Sequence, residues 1–269
     1  MCNPPFYESQ QEMIEAAQAK RRPPFSACTG AEVEMVTSGG EVSFASRMIE
    51  ESLQLRDKVQ WYTTMFGKLS SVEVTVKKLT ASGIDNYAVT EFIQGSKTRR
   101  WAVAWSWGDF RPTAAVARGI PGFPKHLLPF ASEFTIHIPG TPIDAGGNKI
   151  DSEMRSLPSV RWHWRQGLAT GIGFAAENVW SRQARRKRQK EKEQEKERRG
   201  EVSCIIKENN NKEGGDEIEA AAALGVKIQL KQDKFVENGS VVKIRWLKGR
   251  DRVLFESFCG MLKRKLEEA

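Results

Sequence analysis

Two runs, Tyr87-Ala88-Val89-Thr90-Glu91-Phe92-Ile93 and Trp101-Ala102-Val103-Ala104-Trp105-Ser106-Trp107, flank the polar segment Gln94-Gly95-Ser96-Lys97-Thr98-Arg99-Arg100. Both runs are rich in β-branched and aromatic residues, and a short glycine-bearing turn between such runs predicts an antiparallel hairpin. Upstream, Glu41 to Lys58 places Val42, Ala45, Met48, Ile49, Ser52, Leu53 and Arg56 at helical spacing. Its glutamate comes early and its basic residues late, as the helix dipole prefers. Val59 to Phe66, ended by Gly67, reads as a buried strand. A second helix carries Val72, Val76 and Leu79, capped by Ser70 or Ser71 and ended near Gly83. Helix, strand, helix, strand, turn, strand makes residues 1–110 part of an α/β sheet closed by an antiparallel hairpin.

Downstream the pattern changes. Residues 111–130 are rich in proline, glycine and alanine and are expected to form a linker. Residues 131–199 open an α+β segment with the strand Glu133 to Ile138, a Gly/Pro-rich loop, and a long helix from about Val160 to Arg199. Residues 200–222 form a polar insert, and 223–269 repeat a strand-then-helix plan. There Val226 to Leu230 and Val241 to Trp246 alternate as half-buried strands, and Arg252 to Leu266 forms an amphipathic helix.

The charge is divided along the same boundary. The chain has 269 residues and a formal charge of +8. Residues 1–110 hold 12 basic and 13 acidic side chains, and the other 159 hold 30 and 21, so the whole basic excess lies in the second part. Such an excess favours a polyanionic partner. No run of about 18 apolar residues occurs, so no membrane-spanning helix is expected. Cys2, Cys28, Cys204 and Cys259 show no CxxC or Cys/His pairing, which argues against a zinc site or a disulfide framework. His126, His137 and His163 lack acidic or cysteine neighbours at ligand spacing and are read as structural or exposed. Trp101, Trp105 and Trp107 share one side of a strand and are read as sheet core rather than base-stacking platforms. Arg161-Trp162-His163-Trp164-Arg165 is read as helix packing.

Asn3-Pro4-Pro5-Phe6 resembles the Asn-Pro-Pro-Phe/Tyr turn of amino-methylating enzymes. In that turn the asparagine side-chain oxygen and a proline carbonyl accept hydrogen bonds from an exocyclic NH2, and the aromatic ring stacks on the base. Two prolines stiffen the loop, so the acceptors are already placed when substrate arrives. The flanking sequence extends the match: Cys2 and Tyr7, Arg21-Arg22-Pro23-Pro24, Thr29-Gly30-Ala31-Glu32-Val33-Glu34-Met35, Gly39-Gly40-Glu41, Glu51-Ser52-Leu53-Gln54-Leu55, Trp61-Tyr62, Gly67-Lys68, Thr90-Glu91-Phe92 and Arg100-Trp101. This ordered series resembles the methyltransferase-like protein 16 family. Its members are adenine-N6 RNA methyltransferases that modify U6 small nuclear RNA, with bacterial relatives acting on large-subunit ribosomal RNA. The match is dense to about residue 108 and fainter through the C-terminal segments, which resemble that family's C-terminal RNA-binding region.

The resemblance implies the C-terminal half of a class I (Rossmann-like) methyltransferase sheet followed by an α+β RNA-binding region. In that fold the sheet runs 3-2-1-4-5-7-6, and this chain would keep strands 5, 7 and 6. Asn3, Pro4, Pro5 and Phe6 would be catalytic by positioning, and Tyr7, Arg21, Arg22 and Arg100 would contact substrate. Arg185, Arg186, Lys187 and Arg188 read either as a nuclear-import signal or as a phosphate-contacting patch. The mixed run from Glu191 to Glu197 reads as solvated helix supported by i,i+4 pairs. S-adenosylmethionine is the implied cofactor, with Asn3 its expected contact here. The family's glycine-rich loop and acidic ribose contact have no counterpart in the sequence, so we expect an incomplete chain that does not bind this cofactor by itself. Gly167 to Gly173 and Asp144-Ala145-Gly146-Gly147 follow no convincing strand and are not read as cofactor loops. No metal site and no DNA partner are expected. The expected location is the nucleus, with the cytoplasm second. Two alternatives stay open: a non-catalytic RNA-binding member of the family, and a small-molecule amine N-methyltransferase.

Overall fold

A computed structural model describes residues 2–18, 32–94, 98–199, 219, 221–236 and 238–268. It divides into two units, Met1–Ala131 and Ser132–Ala269.

The first unit contains α1 (Gln10–Gln18), α2 (Glu32–Met35), α3 (Gly40–Leu55), β1 (Tyr62–Phe66), α4 (Leu69–Ala81), β2 (Tyr87–Gln94), β3 (Thr98–Trp105), α5 (Ala114–Ala117) and β4 (Arg118–Gly119). The sheet order is β1-β3-β2-β4, with β3 antiparallel to both neighbours and β4 parallel to β2. This is the order expected for strands 5, 7 and 6. Cys2 adds a single parallel rung to Thr64 on the outer side of β1, where strand 4 of the full sheet would run. Register places Tyr62, Trp105 and Tyr87 in one row and Thr64, Val103 and Val89 in the next. This face packs against Ala45 and Ile49 of α3 and Val72, Val76 and Leu79 of α4. Trp105 is fully buried, its indole N–H donating to Ser52 Oγ at 3.0 Å, and Trp101 and Trp107 lie partly buried on the same core.

Three expectations are corrected here. Neither Ser70 nor Ser71 caps α4; the two residues that lead into it, Gly67 and Lys68, are held by the Glu41 carboxylate, described below. The polar segment 94–100 is shorter as a turn than expected, because Arg99 and Arg100 already pair with Ile93 and Phe92 in the ladder. Residues 111–130 are not a linker: Ile120, Phe123 and Leu127 enter the core, and Leu127 O accepts from the Tyr87 hydroxyl at 3.0 Å. Burying three large apolar residues outweighs the local turn composition.

The second unit contains β5 (Glu133–Ile138), α6 (Ile143–Ser156), β6 (Val160–Arg165), β7 (Thr170–Ala175), α7 (Arg182–Arg199), β8 (Leu224–Gln232), β9 (Ser240–Lys248) and α8 (Arg252–Glu267). The strands form an antiparallel sheet in the order β5-β9-β8-β7-β6. α6 and α8 cover one face, where Phe255 stacks on Trp246 at 5.2 Å and the Trp162 indole donates to Asp151 at 2.8 Å.

The long helix expected over Val160–Arg199 is therefore a β6–β7 hairpin followed by a shorter helix. Trp162 and Trp164 alternate with Arg161, His163 and Arg165 at period 2, which suits a strand with one wet face. The glycines opposite make room for the indoles: a Cβ at Gly171 would overlap the Trp162 ring. The loop expected before this hairpin contains α6, whose Gly146 and Gly147 let Leu230 and Trp164 approach the helix backbone. Close packing here offsets the roughly 1 kcal/mol that each glycine costs a helix relative to alanine. Neither glycine segment forms a loop between a strand and a helix N-terminus, so neither fits a cofactor loop.

Candidate functional site

Residues 3–6 are held at both ends by parallel bridges. Cys2 N donates to Thr63 O at 2.8 Å and Met65 N donates to Cys2 O at 3.1 Å. On the far side, Tyr7 N donates to Met35 O at 3.1 Å and Thr37 N to Tyr7 O at 2.9 Å. Between these anchors two prolines fix φ and donate no hydrogen bond, so the loop has little conformational freedom. Pro4 is buried, and the Asn3 side chain is exposed.

Phe6 has support on two sides. A Cβ on Gly67 would sit 3.4 Å from its ring, so glycine lets the ring lie close to the β1–α4 turn. The Arg100 guanidinium lies 5.4 Å from the ring centroid, a cation–π distance. The turn itself is held by Glu41, whose carboxylate is 3% exposed and accepts from Gly67 N at 2.6 Å and Lys68 N at 3.1 Å. A buried carboxylate is tolerable there because the start of α4 supplies unpaired N–H groups and the positive end of its dipole. Gly39 and Gly40 both take positive φ (72° and 61°), which turns the chain sharply into α3 and aims Glu41 at this turn.

A second clamp lies outside it. Ser9 Oγ accepts from Glu12 N at 3.2 Å, and the Glu12 carboxylate accepts from Glu8 N at 2.7 Å and from Lys68 Nζ at 2.6 Å. The lysine first, then the Glu8 amide, hold the Glu12 carboxyl below its ordinary range, and the same contact raises Lys68. This exposed clamp holds between the two titrations. It opens as pH falls through the lowered Glu12 value or rises through the raised Lys68 value.

The structure thus gathers Asn3, Pro4, Pro5, Phe6 and Tyr7 with Arg100. Arg21 and Arg22 lie outside the described residues. Arg185, Arg186 and Lys187 are exposed near the start of α7 in the second unit, and the Arg188 side chain lies outside the described ones. His137 has an acidic companion that local spacing does not reveal: its Nδ1 lies 2.8 Å from Asp233 Oδ2, and this contact, then the Phe235 N–H, lowers the Asp233 carboxyl. Cys259 is buried in α8, its thiol pushed up to about 12 chiefly by desolvation. Among the described residues, no group of three or more His, Cys, Asp or Glu is placed to hold a metal ion.

Glu41 was missed as a site residue because its targets are 26 and 27 positions away. Its only local signal was the Gly39-Gly40-Glu41 entry to α3. Replacing Glu41 with alanine is expected to destabilise the first unit by about 2–3 kcal/mol, since it leaves two amides without their charged acceptor. Glu41→Gln, which keeps one acceptor, should recover much of that. A urea titration in which Glu41→Ala matches the parent would refute the assignment.

Strand order and the Cys2 rung beside β1 mark the first unit as part of a class I (Rossmann-like) methyltransferase sheet. A family model described as RNA methyltransferase matches residues 1–109. The chain is 31% identical over 273 residues to the U6 small nuclear RNA (adenine-(43)-N(6))-methyltransferase of Schizosaccharomyces pombe, covering 100% of this chain and 60% of that protein. It is 28% identical over 299 residues to the RNA N(6)-adenosine-methyltransferase mettl16 of Danio rerio, covering 99% and 61%. A crystal structure of the hMettl16 catalytic domain in complex with MAT2A 3'UTR hairpin 1 aligns at 40% identity over 42% of this chain and 40% of that one, with a TM-score of 0.39. The chain spans about three fifths of the length of these two curated relatives. It is similar in sequence to the methyltransferase-like protein 16 RNA methyltransferases.

Proposed function

We propose that the chain acts in S-adenosylmethionine-dependent methylation of adenine N6 in a structured RNA of the U6 small nuclear RNA type, with a nuclear location. The observation that carries this reading is the loop held between two bridges, with Asn3 exposed and Phe6 backed by Gly67 and Arg100. In this reading Asn3 Oδ1 and the Pro4 carbonyl accept from the two N–H groups of the adenine amine. That fixes the direction of the nitrogen lone pair, and fixing direction can supply several kcal/mol of a transfer barrier. Phe6 offers a ring to the base, Tyr7 lies next to it, and Arg100 both steadies Phe6 and lies where RNA would pass. S-adenosylmethionine supplies the methyl group in the family. Here the glycine-bearing segments do not fit that cofactor, and Asn3 is the contact we assign to it.

The second unit and Arg185–Lys187 of α7 supply RNA affinity in this proposal. The test has two parts: binding of this chain to a U6-like hairpin across a salt series, and transfer of a labelled methyl group from S-adenosylmethionine to adenine N6 with the family's cofactor-binding half supplied as a separate polypeptide. Steep salt dependence with N6 labelling is the expected result. Binding without labelling would favour a non-catalytic RNA-binding protein. Absent or salt-independent binding, with labelling of a small amine, would overturn the RNA assignment.

A further inference from the structure

The first unit holds a cleft of about 310 Å³, lined by Asp57, Val59 and Trp61 on one side and Ser106, Gly108 and Phe110 on the other. Its size is at the low end for a small-ligand pocket. One wall precedes β1 and the other follows β3. The Asn3–Phe6 loop packs on Gly67, beyond the far end of β1, so loop and cleft lie a strand length apart, roughly 17 Å.

The two walls are tied together. Ser106 Oγ donates to Gln60 O and accepts from Gly108 N at 3.0 Å. The Asn86 side-chain amide donates to Gly108 O at 2.9 Å and to Phe110 O at 3.0 Å. These bonds give the cleft its shape before any ligand arrives. Trp61 and Phe110 supply aromatic surface, Phe110 being 58% exposed, and Val59 adds an aliphatic side chain. Asp57 adds an exposed carboxylate. Among the described residues no cation, Arg56 and Lys58 included, lies within ion-pair distance of it. The Arg56 guanidinium instead lies 5.4 Å from the Trp107 ring centroid, and its Nε donates to Leu53 O at 3.2 Å.

The backbone that presents Asp57 is strained. Arg56 takes φ 45° and ψ −120°, a conformation that disfavours any side chain. The two guanidinium contacts hold it there, together with the Tyr62 hydroxyl, which donates to Arg56 O at 2.9 Å. Strain that the surroundings enforce in this way clusters at ligand clamps and active sites. Ring and aliphatic surface beside an unpaired carboxylate suits a flat cation on an apolar stem. Arginine meets both demands, because its guanidinium packs on ring planes and donates in a fork to a carboxylate. The same carboxylate disfavours a phosphate.

We propose that this cleft docks an arginine side chain of a partner protein, with the guanidinium on Asp57 and the stem along Val59, Trp61 and Phe110. The surface is separate from the methyl-transfer reading. A partner can sit there while the Asn3–Phe6 loop is occupied.

The test is amide NMR of the full 269-residue chain, isotope-labelled and titrated with N-acetyl-arginine N-methylamide, which mimics an arginine inside a peptide. Saturable shifts of the Trp61 indole and the Gly108 amide are expected, with the millimolar affinity of a single side-chain anchor. Asp57→Asn should weaken binding about two- to fivefold, as loss of an exposed ion pair does, and Asp57→Lys should remove saturation. The citrulline analogue, which has the same shape without the charge, should bind as weakly to the parent as the arginine analogue does to Asp57→Asn. Equal binding of the two analogues, or of the arginine analogue to the parent and Asp57→Asn, would overturn the proposal. Absence of shifts at these residues would overturn it too. Tighter binding of free arginine than of the blocked analogue would assign the cleft to a small molecule and overturn the protein partner.

Discussion

Asn3→Ala is expected to lower methyl transfer by about two to three orders of magnitude, the range seen when one preplaced hydrogen-bond partner is removed from a reacting group. The reason is geometric. The loop between Cys2 and Tyr7 is fixed by backbone bridges and two prolines, so alanine changes the acceptor without releasing the loop. Affinity for RNA should move by less than about twofold, because phosphate contacts elsewhere supply most binding energy in such complexes. Asn3→Asp keeps an acceptor oxygen at nearly the same place and should retain more activity than alanine. Single-turnover methyl transfer beside an RNA titration separates the two quantities. Equal loss of affinity and turnover in Asn3→Ala would mean that Asn3 serves general RNA binding, not amine orientation.

The largest effect on stability is expected at Trp105. Its side chain is 0% exposed, stacks on Tyr62 with ring centroids 5.6 Å apart, and donates to Ser52 Oγ. Trp105→Ala removes a fully buried bicyclic ring and should cost the first unit about 3–5 kcal/mol. Trp105→Phe keeps much of the packing but loses the donor, and should cost about 1–2 kcal/mol. Hydrogen exchange of the amides in β1 and β3 reports this change in the right unit. Unchanged protection of those strands in Trp105→Ala would show that the tryptophan is not the centre of the core.

Much of the first unit was legible in the sequence because its signals are local and agree. The spacing of Ala45, Ile49 and Ser52 specifies a helix face, and the runs around Val89 and Val103 specify the hairpin. The order of the strands followed from the resemblance, which in turn rested on contiguous motifs. Residues 111–130 failed the same treatment because Ile120, Phe123 and Leu127, although spaced i, i+3, i+7, are interrupted by Pro121, Gly122 and Pro124, which break a helix; only the core they fill explains them. In the second unit α6 was hidden by Gly146 and Gly147, whose poor helix propensity is overridden by Leu230 and Trp164 packing against them. The β6–β7 hairpin was hidden by its length, since short strands with charged outer faces resemble the charged helix that follows.

The candidate site shows the same division. Asn3 to Phe6 are adjacent in sequence, so the loop could be read directly. Glu41 acts across 26 positions, and Arg100 meets Phe6 from the opposite end of the unit. Asp57, Trp61 and Phe110 each look like ordinary residues of turns and strand ends. They line one cleft only when the pairing of β1 with β3 is known.

β7 and β8 are neighbours in the second sheet, yet residues 176–223 separate them in the chain. The entropy of closing such a connection grows only logarithmically, so doubling its length costs about 0.6 kcal/mol. The sheet is therefore nearly indifferent to how many residues pass between these two strands. An insertion or an engineered label between these strands, outside α7 and the buried Val179, Trp180 and Ala222, leaves the pairing of β7 with β8 intact, while the same change inside the hairpin β8–β9 would shift the register that sets Lys227 opposite Arg245.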